Sequence, residues 1–148
     1  MTVAFIITKY IHFLSILLLF SSGLLEYLLL KPILSRAKIK QLMRVDIVFG
    51  FSALVVLLSG LTMAIWLAKP LDYYLSNWIF HLKYSLFIII GLISAYPTLF
   101  FFRNRTGDDT NIINLPRGLK TIVRLELAGI LCLPLLAILM AGGFGVIQ

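Results

Sequence analysis

Two ionisable residues, His12 and Glu26, lie inside the first long apolar stretch of the chain. They are 14 residues apart, and at about 100° per residue this spacing returns them to nearly the same face of a helix. Polar and small residues on one face of a membrane helix are typical of a surface that contacts other helices or a cofactor. Between the two ionisable residues, that face carries Ser15, Leu19, Ser22 and Gly23.

A second basic residue, Lys83, lies about one turn inside the third apolar stretch of the chain. If the first and third stretches start on the same side of the membrane, Lys83 and His12 are at the same depth. Neutral imidazole is a usual haem ligand, and a four-helix bundle holds haem between facing helices. One interpretation is that His12 is the ligand of haem iron and that Lys83 pairs with a propionate or a substrate carboxylate. His81 is a candidate second ligand, but it points about 200° away from Lys83 on one helix. A packing histidine and a lysine that extends to the membrane surface are the alternatives.

A larger set of ionisable residues is expected toward the opposite ends of the apolar stretches. Burying an unpaired ion costs several kcal/mol, so the acids of this intramembrane polar cluster are predicted to pair with its arginines. A salt-bridge network that fixes helix register, a proton or ion pathway, and a site for an anionic head group or metabolite all remain open. The cluster consists of Glu26, Arg44, Asp46, Arg103, Arg124 and Glu126.

Four apolar runs supply the elements that carry these residues. They cover residues 10–30, 45–67, 78–102 and 121–143, and each reaches the length of about 20 residues that crosses a bilayer. Backbone polar groups cannot face lipid unpaired, so each run is expected to be helical. Of the 148 residues, 61% are hydrophobic and 13% are charged, whereas soluble domains are about one-quarter charged. We therefore predict one all-α domain over residues 1–148, an integral membrane four-helix bundle. We expect its first run to be a helix of the mature protein and not a cleaved signal peptide.

Basic residues in the connecting loops predict the orientation. The loops after the first and third runs are rich in Lys and Arg, whereas the remaining loop has Lys69 balanced by Asp72. The positive-inside rule places the two basic loops in the cytoplasm and both termini on the other side, N-out and C-out. In a bacterium this is the inner (cytoplasmic) membrane. The formal charge of +7 is explained by topology and by contact with anionic membrane lipids, without a nucleic-acid partner.

Other common chemistries have no support in the sequence. The chain contains no Cys/His cluster with metal-ligand spacing, no glycine-rich phosphate loop and no serine nucleophile motif. Cys132 is the single cysteine, which excludes an internal disulfide. We predict that it is a small buried hydrophobic side chain.

Taken over nearly its whole length, the chain resembles a bacterial family of four-span membrane proteins, domain of unknown function 2214. The resemblance implies the fold and the membrane location, and it assigns no activity. It rests on His12, Glu26, Arg44-Val45-Asp46, Gly60-Leu61, the segment 73–77 (YYLSN), Lys83, Tyr96-Pro97-Thr98, Glu126, Pro134, Ala137 and Met140-Ala141-Gly142.

The chain is also distantly similar to HemJ-type protoporphyrinogen oxidases and to CopD-type membrane domains. HemJ proteins have Lys-x-x-His in their first helix, matched here by residues 9–12 (KYIH), and His-x-Lys at the start of the third, matched by residues 81–83 (HLK). This likeness implies that His12 binds haem and that Lys83 is a functional cation. Where HemJ continues with a Pro-Arg-Leu-Phe-type segment, this chain has residues 26–31 (EYLLLK), so the likeness implies a haem site more than porphyrinogen oxidation.

Two hypotheses about function follow. The first is a four-helix inner-membrane protein that holds haem b or a related porphyrin near the outer leaflet and performs redox chemistry, with a quinone or a porphyrin as partner. The second is a non-enzymatic membrane protein, either a small transporter acting as a homo-oligomer or a stabilising subunit of a larger membrane complex. The sequence leaves open whether the protein is an enzyme.

Overall fold

The structure, a computed structural model, describes residues 2–67 and 69–146. Four of its helices are long and apolar enough to cross a membrane, which confirms the predicted all-α membrane bundle. A π-helical turn, Met63–Leu67, extends the second long helix. The helices are α1 (Val3–Leu29), α2 (Arg36–Thr62), the short α3 (Leu71–Leu75), α4 (Trp78–Asn104) and α5 (Leu119–Ala141).

Two of the long helices begin well before the apolar runs that predicted them. Helix α1 begins at Val3, where the Thr2 hydroxyl accepts a hydrogen bond of 3.3 Å from the Phe5 amide. Helix α2 begins at Arg36 and its first turns are basic. Residues 3–7 of α1 (VAFII) are themselves apolar and continue the run to the helix start, whereas α2 begins in a basic segment that hydropathy does not mark.

The four long helices form a bundle of two packed hairpins. Helix α1 packs against α2, α4 against α5, α1 against α5 and α2 against α4, so that α1 and α4 lie diagonally across the bundle. Apolar side chains fill its middle, among them Leu19, Phe49, Ile90 and Ile130. Cys132 is exposed, so its predicted burial is wrong. It lies next to the buried Leu133, and adjacent positions on a helix point about 100° apart.

A small antiparallel sheet joins the two basic loops, and the sequence pattern did not predict it. Strand β1 (Ile33–Ser35) pairs with β2 (Ile112–Asn114), with Leu34 opposite Ile113. Both of these side chains are buried in a cluster with the neighbouring helix ends. An exposed ion pair of 2.6 Å between Lys40 and Asp109 lies beside the sheet. We call this end of the bundle the sheet end.

The turn before β2 is held by the side chain of Asp108, which lies outside the spans. Its Oδ1 accepts hydrogen bonds from the amide of Thr110 at 3.0 Å and from the hydroxyl of Thr110 at 2.9 Å. Hydrogen bonds to the charged form of a carboxyl favour that form. They lower the pKa of Asp108 below its usual value, with a smaller contribution from Arg36 and Lys40.

The opposite end of the bundle holds the beginning of α1 and the end of α5. Thr2 and Ala141 line the same groove there, as four crossings of a membrane require. We call this end the termini end. The side of the membrane that it faces, N-out and C-out, stays a prediction from the basic loops.

Gly129 allows α5 to approach α4 closely, as small residues do between membrane helices. A Cβ atom at this position would lie 2.7 Å from Cδ1 of Ile90. At Gly91 of α4, a Cβ atom would meet no heavy atom within 4 Å. The two glycines therefore form a matched pair, one at a tight contact and one facing open space.

We expect Gly129→Val to lower the free energy of unfolding by about 1–3 kcal/mol, because side chains of α4 must move to make room. Unfolding in mixed detergent micelles, followed by circular dichroism, measures this loss. Gly91→Val is the control and introduces the same side chain without the contact. Equal losses in the two variants would show that the close contact with Ile90 does not account for the effect, because valine is a better helix former than glycine at both positions.

Candidate functional site

The inward-facing stripe predicted on α1 is confirmed. The residues of α1 that are buried are Ser15, Leu19, Ser22, Gly23 and Glu26, and His12 at the start of the stripe is half-buried. Gly23 lies against the ring of Phe49 from α2, where a Cβ atom would come within 3.1 Å of it. The stripe is therefore the face along which α1 contacts the rest of the bundle.

Three carboxyl groups from three helices are buried toward the sheet end. Glu26 of α1 is 1% exposed, Asp46 of α2 is 4% exposed and Glu126 of α5 is 2% exposed. The fourth helix, α4, supplies Thr98, whose hydroxyl donates a hydrogen bond of 2.9 Å to Oδ1 of Asp46. Helix α1 packs against both α2 and α5, so the three acids belong to neighbouring helices at one end of the bundle. We call Glu26, Asp46 and Glu126 the carboxyl level.

The arginines of the predicted polar cluster do not pair with these carboxyl groups, so the predicted ion pairs are wrong. Arg44, Arg103 and Arg124 are exposed, and Nη2 of Arg124 donates to the hydroxyl of Tyr27 at 3.3 Å. Within residues 2–67 and 69–146, the one ion pair is the exposed Lys40–Asp109 pair. Long arginine side chains extend to the water interface, which separates them from acids that turn inward.

The carboxyl level is consequently a set of acids without counter-charge. Oε1 of Glu26 and Oε1 of Glu126 are buried without a hydrogen-bond partner. Taking an isolated carboxylate out of water is so unfavourable that such a group keeps a proton instead. Among the residues that the structure describes, no three His, Cys, Asp or Glu side chains converge closely enough to hold a metal ion. Such an arrangement can bind and release protons, with some carboxyl groups neutral and others charged.

His12 is held against α2 by one defined hydrogen bond. Its Nδ1 lies 2.9 Å from Oγ of Ser59, and that hydroxyl donates its own hydrogen to the carbonyl of Val55 at 2.5 Å. When the hydroxyl hydrogen is on the Val55 carbonyl, Ser59 accepts from Nδ1–H of His12, and in that tautomer Nε2 keeps its lone pair. The ring also packs against Gly60, where a Cβ atom would come within 3.2 Å of Cε1 of His12.

Lys83 and His12 are both half-buried, on the helices α4 and α1 that lie diagonally across the bundle. His81 is exposed, and its Nε2–H donates to the carbonyl of Leu75 at the end of α3, with a separation of 2.9 Å. His81 and Lys83 therefore point in different directions from α4, as expected for helix positions two residues apart.

Four buried serines lie between the carboxyl level and His12, and we call them the serine line. They are Ser15, Ser22, Ser52 and Ser59. The hydroxyl of Ser22 donates to the carbonyl of Leu18 at 2.7 Å, one helical turn away. Sequence reasoning missed Ser52 and Ser59, whereas Thr98 was among the residues that carry the family resemblance. The separation of seven residues between Ser52 and Ser59, two turns on one helix face, is the signal that identifies them.

The chain was compared with protein families, curated proteins and solved structures. A family described as "Predicted membrane protein (DUF2214)" matches residues 5–145. Neither a curated protein nor a solved structure matches the chain. The matched range contains the carboxyl level, the serine line, His12 and Lys83.

Proposed function

The chain belongs to the DUF2214 family of membrane proteins, and we propose that it is a small transporter that binds protons inside its four-helix bundle and conducts them through the membrane. It is a multi-pass membrane protein by its family and its four apolar helices. The bacterial inner membrane, across which a proton gradient is maintained, is its proposed location. The carboxyl level is the proposed proton-binding site.

The observation that carries this proposal is the burial of three acids without a cation. Intramembrane carboxyl groups are rare, and they commonly mark proton relays or ion pathways. Here the two free Oε1 atoms, on Glu26 and Glu126, belong to helices α1 and α5, which pack against each other. The proposed proton transfer is therefore between carboxyl groups of neighbouring helices at the same end of the bundle.

The serine line supplies the rest of the proposed path. Glu26 and His12 are 14 residues apart on α1, which at 1.5 Å per residue is about 21 Å along the bundle axis. The hydroxyls of Ser22 and Ser59 donate to carbonyls of their own helices, so their proposed role is to accept hydrogen bonds from water that enters the apolar middle of the bundle. Ser15 and Ser22 lie on α1 itself, and Ser59 contacts His12 directly.

Proton flux into liposomes tests this proposal. The purified protein is reconstituted with a pH-sensitive dye inside the vesicles, and a potassium diffusion potential is imposed with valinomycin. We expect acidification of the lumen that depends on the sign of the potential and exceeds the leak of protein-free vesicles. Flux equal to that of the empty vesicles would remove the transport proposal.

A second candidate function is supported by the contact between Nδ1 of His12 and the hydroxyl of Ser59, which in the Nδ1–H tautomer leaves the lone pair of Nε2 free. A metal-bound histidine usually donates its other ring N–H to a fixed acceptor, and Ser59 fills that role here. His12 would hold haem b through Nε2, with Lys83 beside a propionate. Bound haem would supply one-electron redox chemistry, with a quinone as a suitable partner.

Haem binding is tested by the visible absorption spectrum of protein purified after haem supplementation. If haem binds, we expect a Soret band in the natural protein and its loss in His12→Ala, because the variant has no imidazole to ligate the iron. His81→Ala is the matched control, since this exposed histidine contacts α3, and its band is expected to stay. A featureless spectrum of the natural protein would remove this candidate without affecting the proton proposal.

A further inference from the structure

An open groove lies at the termini end, between α1, the π-helical turn, α3 and α5. Its volume is about 640 Å³, and its walls include Phe5, Tyr73, Tyr74 and Met140. Volumes of this size are typical of sites that hold a small molecule or a head group. The carboxyl level lies at the other end of the bundle, and neither the proton path nor the haem candidate accounts for this groove.

Two lysines give the groove its charge. Lys9 of α1 and Lys69 before α3 line it, and no acidic residue is among its lining residues. The first turn of α1 also contains no acid, so the partial positive charge of that helix end is not neutralised there. In the part of the chain that the structure describes, neither lysine forms an ion pair. The groove is therefore complementary to an anion.

Aromatic rings hold the two ammonium groups in place of carboxylates. Nζ of Lys69 lies 3.8 Å from the ring centroid of Tyr73, and the hydroxyl of Tyr73 is itself fixed by a hydrogen bond of 2.6 Å to the carbonyl of Met140. Nζ of Lys9 lies 5.7 Å from the ring centroid of Phe5. Cation–π contacts orient an ammonium and leave its N–H donors free for an anion.

The walls and the position of the groove indicate what kind of anion it takes. Tyr and Trp side chains gather at the depth of lipid head groups, and Tyr73, Tyr74 and Trp78 lie at this end of the bundle. Below the groove, the outer surface of α1 exposes Phe13 and Leu17, a suitable surface for acyl chains. We propose that the groove binds the head group of an anionic phospholipid, with its phosphate between Lys9 and Lys69.

Native mass spectrometry of the protein in mixed-lipid nanodiscs tests the assignment, with phosphatidylglycerol and phosphatidylcholine as the probe lipids. We expect the natural protein to retain phosphatidylglycerol selectively. The double variant Lys9→Gln/Lys69→Gln is expected to lose about thirtyfold in phosphatidylglycerol affinity, the usual contribution of two lysines at an anionic membrane surface.

The control is Lys31→Gln/Lys38→Gln, which removes two exposed lysines at the sheet end and so changes the net charge equally. It is expected to keep the selectivity, and circular dichroism checks that both double variants fold. Equal retention of phosphatidylglycerol by the two double variants would overturn the proposal. Displacement of the bound lipid by inorganic phosphate alone would also overturn it, because the site would then recognise a free anion and not a lipid.

Discussion

Replacing Glu26 by glutamine is expected to reduce proton flux through reconstituted protein by about 100-fold, the usual effect of removing a positioned proton-transfer group. Glutamine matches glutamate in shape but cannot take up or release a proton near neutral pH. Glu26 is the most completely buried of the three acids of the carboxyl level, and its Oε1 has no partner. The initial rate of dye acidification at a fixed membrane potential measures the effect.

Asp109→Asn is the matched control for this substitution. It makes the same change from acid to amide, at an exposed carboxyl that pairs with Lys40 at the sheet end, and flux is expected to stay within about twofold of the natural rate. The infrared band of protonated carboxylic acids supplies a second readout, because Glu26→Gln should weaken it even if transport is slow. Unchanged flux in Glu26→Gln would exclude the carboxyl level from the proton path.

The spans and the inner face of α1 were predictable because each depends on local sequence. A helix in lipid must satisfy its own backbone, so an apolar run of sufficient length determines both the element and its crossing. Within α1, the spacing of Ser15, Ser22 and Glu26 defined one face, and that face is buried. The sequence identifies this surface without knowledge of the partner helices.

The partners of the buried acids were not predictable because they depend on the depth and direction of side chains from other helices. Arg44 is two positions from Asp46, so the two side chains point about 200° apart on α2, and Arg44 is exposed. The predicted ion pairs were based on charges at similar depth, and depth alone does not say in which direction a side chain points. The bond from Thr98 to Asp46 joins residues of different hairpins, and no periodicity within one helix signals it.

The small sheet shows the same limit for loops. Ile113 lies in a segment whose Gly, Asp and Asn residues indicate turns, yet it is buried opposite Leu34. The pairing arises because the bundle brings two loops, far apart in sequence, to one end. The two strands therefore depend on the helices already being packed, and their own β-propensity is a minor factor.

Asn77 joins the end of α5 to the beginning of α4, and its side chain is the strongest candidate for a single-residue effect on stability. It is fully buried, with an exposed fraction of 0%. Its Oδ1 accepts from the amide of Ile79 at 2.9 Å and so caps α4. Its Nδ2 donates to the carbonyl of Phe144 at 2.9 Å. Both hydrogen-bonding groups of this buried amide are thus used.

Asn77→Ala is expected to lower the free energy of unfolding by about 2–4 kcal/mol. Loss of the helix cap accounts for about 1 kcal/mol, and loss of the hydrogen bond to Phe144 and of the packing of the buried amide for about 1–3 kcal/mol more. Unfolding in mixed detergent micelles, followed by circular dichroism, measures the loss.

Asn104→Ala is the control, because that amide donates within its own helix to the carbonyl of Phe100 at 2.8 Å. We expect this variant to lose no more than about 1 kcal/mol of the free energy of unfolding. If both alanine variants lose the same free energy of unfolding, the hydrogen bond from Asn77 to the segment after α5 contributes no more than a hydrogen bond within one helix.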